Sequence, residues 1–307
     1  MTPMKPHSGR TGRADAAGSG RSPHPGKPQR KPPAKSLSPH GAQRPQKPQA
    51  QPQDRQKAPP EQRPPRGSLL FGVHAVSAAL RNPSRNCRRL WATDMAAVGE
   101  ALADAAARGL SRPAPMIVEK AMIDRLVSGG TVHQGVLLEA DPLPEPDLSD
   151  LLTNPAADAV LVVLDQVTDP HNVGAVLRSA AAFGAAGLVV TERHAPEVTG
   201  TLAKSASGAL EVVPLVRVGN LARAIAEMRE AGFWCVGLSE RAERPLHEHD
   251  LSGRTALVLG SEGTGIRRLT AERCDALARL PTQGPIESLN VSVAAAISLY
   301  ETARRRS

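Results

Sequence analysis

The sequence predicts an α/β protein whose C-terminal half is built on a mostly parallel sheet. Three observations carry that reading. Short apolar runs alternate with amphipathic segments from about Ser68 to the end of the chain. The run 160–164 is apolar at every position, as a parallel strand covered on both faces requires. The composition also breaks near residue 67: the first 67 residues hold 15 of the 28 prolines and eight glutamines, but no Phe, Trp, Tyr, Val or Ile. That segment cannot bury enough apolar surface to offset its conformational entropy, so residues 1–67 are expected to be a disordered, basic Pro/Gln-rich tail.

Charge follows the same boundary. The chain is net +8, but residues 1–67 carry 14 basic and 3 acidic side chains, and the remaining 240 carry 24 basic and 27 acidic. The folded part is therefore slightly acidic, and an inference of nucleic-acid binding from total charge would credit the wrong region. No stretch approaches the roughly 18 consecutive apolar residues of a membrane span. The N-terminus lacks the apolar core of a secretory signal, and its dense Pro and Gln argue against an amphipathic transit helix. Cys87, Cys235 and Cys274 are far apart and form no CxxC pair, so neither a zinc site nor a disulfide framework is expected, and a reducing cytoplasm is the natural location.

In the first folded segment, 68–141, helix and strand alternate: 73–80, 89–92, 96–107, 116–118, 121–127 and 136–140. About 75 residues in this pattern suggest one small α/β unit. Residues 142–158, with Pro142, Pro144 and Pro146 near their start, read as a linker. From 159 to 307 the expected order is strand 160–164, helix 173–182, strand 188–190, helix or turn 202–210, strand 212–215 and helix 221–230. Strands at 233–238, 255–259 and 277–280 and a closing helix at 291–305 complete it. Ligands of such sheets sit beyond the carboxyl ends of the strands.

Three loops fall there. The first is Leu164-Asp165-Gln166-Val167-Thr168-Asp169-Pro170-His171-Asn172-Val173-Gly174, which joins a buried strand to a helix and places Asn172 as the expected N-cap. On that helix Val173, Val176, Leu177, Ala180 and Ala181 share one face, and Arg178 lies off it. A capped amphipathic helix with a solvated arginine would look the same. The second loop is Leu259-Gly260-Ser261-Glu262-Gly263-Thr264-Gly265, which is neither a Walker loop nor a dinucleotide fingerprint. By itself a plain turn explains it. The third runs Leu280-Pro281-Thr282-Gln283-Gly284-Pro285-Ile286-Glu287-Ser288-Leu289-Asn290-Val291-Ser292-Val293-Ala294 into the last helix, and its length favours a functional loop.

In this order and at these spacings, the loops resemble the SpoU (TrmH-like) RNA ribose 2′-O-methyltransferases. The first motif of that family, N-x-G-x-x-x-R, is Asn172 to Arg178. Its G-x-E-G-x-G turn is Gly260 to Gly265, and its S-L-N-V-S-V-A run is Ser288 to Ala294. Lys204-Ser205-Ala206-Ser207-Gly208-Ala209-Leu210 resembles a further family stretch. Phe71-Gly72-Val73-His74-Ala75-Val76 and Val132-His133-Gln134-Gly135-Val136 are similar to the branch that methylates a guanosine of large-subunit (23S) ribosomal RNA. One departure is Thr282-Gln283, where many members have Met-Ala.

The resemblance implies a C-terminal domain, 159–307, whose parallel sheet is tied in a deep trefoil knot. It also implies a small ribosomal-protein-like RNA-binding domain at 68–141, S-adenosylmethionine as cofactor, no metal, and a homodimer. Arg178 matches the position credited with activating the 2′-OH. Because a guanidinium keeps its charge in proteins, it is expected to stabilise the forming alkoxide rather than to act as a base. Asn172, Ser288 and Asn290 match polar positions around the substrate phosphate and ribose, and Glu262 matches an orienting acceptor. Gly260, Leu280 and Leu289 match positions whose main chain meets the cofactor. The rival readings are a transfer-RNA methyltransferase of the same family, an RNA-binding relative that has lost catalysis, and a dinucleotide oxidoreductase. The last is disfavoured by the absence of G-x-G-x-x-G after any strand.

Overall fold

The computed structural model describes residues 68–285 and 288–306; the expected disordered tail, 1–67, lies outside them. The chain first builds a four-stranded sheet. β1 (Ser68–Phe71) and β2 (Cys87–Ala92) flank β4 (Val136–Ala140) antiparallel, and β3 (Pro115–Ile117) extends β2 in parallel. Helices α1 (Val73–Arg81), α2 (Gly99–Ala107) and α3 (Lys120–Leu126) lie between the strands in sequence. All five side chains of β4 are buried, Glu139 among them. Its carboxylate is compensated by an ion pair with Arg89, whose guanidinium also lies 4.7 Å over the Trp91 ring. α2 begins three residues later than its pattern suggests, because Met95 O accepts the amides of Val98 and Gly99 in a preceding turn.

The stretch 142–158 is more than a linker. It contains α4 (Leu148–Leu152), stopped at its N-terminus by a capping box between Asp147 and Asp150, and Leu148 enters the core of the following sheet. That sheet has six strands: β5 (Val160–Asp165), β6 (Gly187–Thr191), β7 (Leu215–Val218), β8 (Trp234–Leu238), β9 (Thr255–Gly260) and β10 (Ala276–Ala278). Their order is β10-β8-β9-β5-β6-β7, and every neighbouring pair is parallel. β5 and β6 are buried along their whole length, the reason their sequences are apolar without alternation. Helices α5 (Pro170–Ala182), α6 (Gly200–Ala206), α7 (Leu221–Glu230), α8 (Arg268–Ala271) and α9 (Val291–Arg304) complete the fold.

Two strands are displaced from expectation. β7 starts at Leu215 rather than 212: a 3-10 turn at Ala209–Glu211 continues until Val213 N bonds Ala209 O, and Pro214 follows before pairing begins. β10 ends at Ala278, so Leu280 belongs to the loop. The cap of α5 is also shifted. Asp169, not Asn172, is the N-cap: its carboxylate accepts from His171 N at 2.9 Å, and Pro170 opens the helix.

The small sheet sits against α6 and the turn that follows it. A Cβ on Gly200 would lie 2.3 Å from the Phe71 ring and 2.5 Å from Leu69 O, so only glycine admits this contact. On its other side α6 meets α5, where a Cβ on Gly174 would fall 2.7 Å from Leu202 O. The junction is locked by Arg85 and Glu211, whose side chains are 2% and 4% exposed and meet at 2.6 and 3.2 Å. Asn82 Nδ2 also donates to Glu211 Oε2 at 2.7 Å, and Arg85 Nη1 donates to the Asp141 carbonyl at 2.8 Å.

Candidate active site

β5 and β9 are adjacent although they are far apart in sequence, with Asp165 opposite Gly260 in the register. The loops that leave their carboxyl ends therefore start side by side. The loop after β9 folds back sharply: Ser261 and Gly265 form an antiparallel bridge, Gly265 N bonds Ser261 O at 2.9 Å, and the Ser261 and Thr264 hydroxyls meet at 2.6 Å. A Cβ on Gly260 would lie 1.9 Å from the Gly265 carbonyl carbon, so glycine here is a steric requirement.

Folding back in this way places Glu262 at the tip of the loop, between two helix starts. Its Oε1 accepts from Asn172 Nδ2 at 3.0 Å and from Asn290 Nδ2 at 2.6 Å, and Asn290 Nδ2 also donates to Asn172 Oδ1 at 3.0 Å. Asn290 is the N-cap of α9, its Oδ1 accepting from Ser292 N at 2.9 Å and Ser292 Oγ at 2.6 Å. Asn172 lies in the first turn of α5. The N-termini of two long helices thus converge on one polar cluster, where their partial positive charge favours an anion.

Beside the cluster is a cleft of about 670 Å³, within the ordinary range for small-molecule sites. Gly260, Glu262, Leu280, Ser288 and Leu289 all line it. Glu262 belongs both to the cleft and to the polar cluster. Arg178 is exposed on α5, and among the described residues its side chain makes no hydrogen bond or ion pair. The structure thus unites Asn172, Glu262 and Asn290 directly, gathers Gly260, Leu280, Ser288 and Leu289 around the cleft, and leaves Arg178 on the helix that carries Asn172. Sequence reasoning missed Ser239, Glu240 and Arg241, which follow β8 and line the same cleft. Their only signal was position: they too leave the carboxyl end of a strand of the parallel sheet. Among the described residues, no group of three or more His, Cys, Asp or Glu is placed to hold a metal ion.

The cleft suits S-adenosylmethionine by its donor set. Leu259, Ile266, Leu280 and Leu289 supply an apolar lining, and the Gly260–Gly265 turn brings polar residues to the same cleft.

This geometry coincides with a family. Residues 159–300 match the SpoU rRNA methylase family, and residues 69–146 match the RNA 2′-O ribose methyltransferase substrate-binding domain. The chain belongs to the SpoU rRNA methylase family. It is 41% identical over 241 residues to the 23S rRNA (guanosine-2′-O-)-methyltransferase RlmB of Pseudomonas syringae pv. tomato, covering 78% of this chain and 96% of the relative. The protein of the same name from Coxiella burnetii is also 41% identical, over 77% of this chain and 95% of its own length. Among solved structures, the SpoU methyltransferase AviRb of Streptomyces viridochromogenes, in complex with the cofactor AdoMet, aligns with a TM-score of 0.64 and 27% identity. That alignment covers 78% of this chain and 89% of AviRb.

Proposed function

We propose that this protein uses S-adenosylmethionine to methylate the 2′-OH of a guanosine ribose in 23S ribosomal RNA. The observation that carries the proposal is the Asn172–Glu262–Asn290 cluster at the rim of the cofactor-sized cleft, with Arg178, unpaired among the described residues, on the same helix as Asn172. The relatives named as 23S rRNA guanosine methyltransferases support this substrate over transfer RNA.

When bound, S-adenosylmethionine supplies an electrophilic methyl group on a positively charged sulfur. The protein has to hold the hydroxyl in line with that methyl and stabilise the negative charge that grows on the attacking oxygen. Arg178 provides a fixed cation with a planar fork, able to bond the forming alkoxide and a neighbouring phosphate together. The N-termini of α5 and α9 add partial positive charge at the Asn172–Glu262–Asn290 cluster. Asn172 and Asn290, oriented by Glu262, hold the ribose and phosphate, and Ser288 donates from the loop between them. The backbone of Gly260, Leu280 and Leu289 holds the cofactor, while the leucine side chains help wall the cleft.

The domain organisation belongs to the same proposal: a tail at 1–67, an RNA-binding domain at 68–141 and a catalytic domain at 159–307. So does the trefoil knot, supported by β9 lying between β5 and β8 and by the third loop returning Asn290 to Asn172. A homodimer is supported by an apolar stripe on α9, where Val293, Ile297 and Tyr300 are 46%, 42% and 55% exposed at i, i+4 and i+7 spacing. Among the described residues no helix is long and apolar enough to cross a membrane, and a cytoplasmic location fits work on ribosomal RNA. The deciding assay uses labelled S-adenosylmethionine with separated, unmethylated 23S rRNA and tRNA. Label in the ribose of a 23S guanosine is expected, and label confined to tRNA overturns the substrate assignment.

A further inference from the structure

The strand-end carboxylate that precedes the first motif has no part in the chemistry described above, yet it is the most buried charge beside the site. Asp165, the last residue of β5, is 0% exposed. Its Oδ2 accepts from Arg267 N at 3.0 Å, and its Oδ1 accepts from Arg267 Nε at 2.7 Å. The partners are 102 residues apart in sequence. Arg267 sits two residues after the Gly260–Gly265 turn, and Asp165 faces Gly260 across the β5–β9 register. The carboxylate therefore grips the far end of the loop whose near end is its own neighbour in the sheet.

A loop of this kind has two ends to fix. The near end is fixed by pairing with β5. The far end, at Gly265–Ile266, presses on Gly260 at a distance that no Cβ would tolerate. Nothing in the Ser261–Gly265 bridge alone holds the closed loop against the sheet, since that bridge is internal to the loop. The Asp165–Arg267 pair does, through one main-chain and one side-chain bond to the same carboxylate. We infer that Asp165 and Arg267 are positioning residues for cofactor binding: they close the Gly260–Gly265 loop onto β5 and so hold its backbone, and Glu262 at its tip, in binding geometry. This rests on the cleft being the S-adenosylmethionine site.

The arrangement separates the two partners experimentally. Arg267 has a side chain 46% exposed, so Arg267→Ala removes the ion pair without emptying a core position. Asp165→Asn keeps the shape, but replaces one acceptor oxygen with an amide that faces the Arg267 donors. Arg267→Lys restores a cation that can reach the carboxylate. Calorimetric titration of the full-length protein with S-adenosylmethionine should show Arg267→Ala and Asp165→Asn weakened by between about 10- and 100-fold, the loss of a charge-assisted hydrogen bond expressed in binding. Arg267→Lys should recover part of that loss. The KM for RNA should change less than the S-adenosylmethionine dissociation constant in all three, because Asn172 and Asn290 keep their own places on α5 and α9. A role confined to stability would lower the melting temperature while leaving the dissociation constant unchanged, and wild-type affinity in folded Arg267→Ala overturns the inference. If Asp165→Asn does not fold, Arg267→Ala and its lysine rescue decide alone. Absence of S-adenosylmethionine binding by the wild-type protein overturns the reading of the cleft, and this inference with it.

Discussion

Two polar clusters in this molecule are built from similar groups and placed in opposite settings. Where the small sheet meets α6 and the turn after it, Arg85 and Glu211 are almost wholly buried, and every charged atom has a partner within the protein. At the candidate active site, Glu262 and Asn290 are exposed, and Arg178 is left unpaired among the described residues. The first is a closed network whose bonding capacity is spent on the fold. The second is open, and its capacity is held for something that arrives. Polar residues near an interface between domains are therefore not a reliable sign of function here; unspent valence is.

The contrast can be broken from either side. Arg85→Ala, which strands the Glu211 carboxylate in the interior, should cost about 3–5 kcal/mol of stability by chemical denaturation. Its affinity for S-adenosylmethionine should stay unchanged wherever the variant is folded. Arg178→Lys should do the reverse, leaving the melting temperature unaltered while lowering kcat by about 10²–10³-fold, because one ammonium cannot replace a fork that meets two oxygens. Near-wild-type turnover in that variant would defeat the role assigned to Arg178. Asn290→Ala lies between the two: it removes the N-cap of α9, for about 1 kcal/mol of stability, and it takes away the donor that Glu262 and Asn172 share, so both melting temperature and turnover should fall.

Smaller effects sharpen the same distinction. Burial pushes the thiols of Cys235 and Cys274 up to about 12, so native protein at pH 8 should resist alkylation at both until it is denatured, as mass spectrometry of labelled peptides would report. Burial, helped by Arg244, holds the His249 imidazole below its ordinary value. The unfolded chain then takes up that proton first, so the stability contribution is lost as pH falls from about 6.5 through the folded-state value. His249→Gln should flatten the acid side of the melting-temperature profile.

Much of this was legible in the sequence because it is written locally. The three motif loops are short contiguous strings, and the parallel sheet announces itself in runs such as Val160–Asp165 and Gly187–Thr191. What joins the loops is not local. Asn172, Glu262 and Asn290 are separated by 90 and 28 residues, and no periodicity shows that one amide will bond the other two groups. β1, with four residues, is too short to show alternation, and α4 was hidden by the prolines before it. The Asn172 cap was misplaced because Asp169 and Asn172 are both good caps, and Pro170 decides between them by opening the helix. Ser239–Arg241 carried no motif, only an address at the end of a strand.

The glycine contacts on either side of α6 have a consequence for reach. With Gly200 against Phe71 and Gly174 against Leu202, the small sheet and α5 both meet that helix at distances no side chain could occupy. The span between the small sheet and Arg178 therefore runs through two close-packed contacts on α6. On the proposed function this span would act as a calliper: an RNA held by the small sheet would present to Arg178 the ribose that lies at that distance.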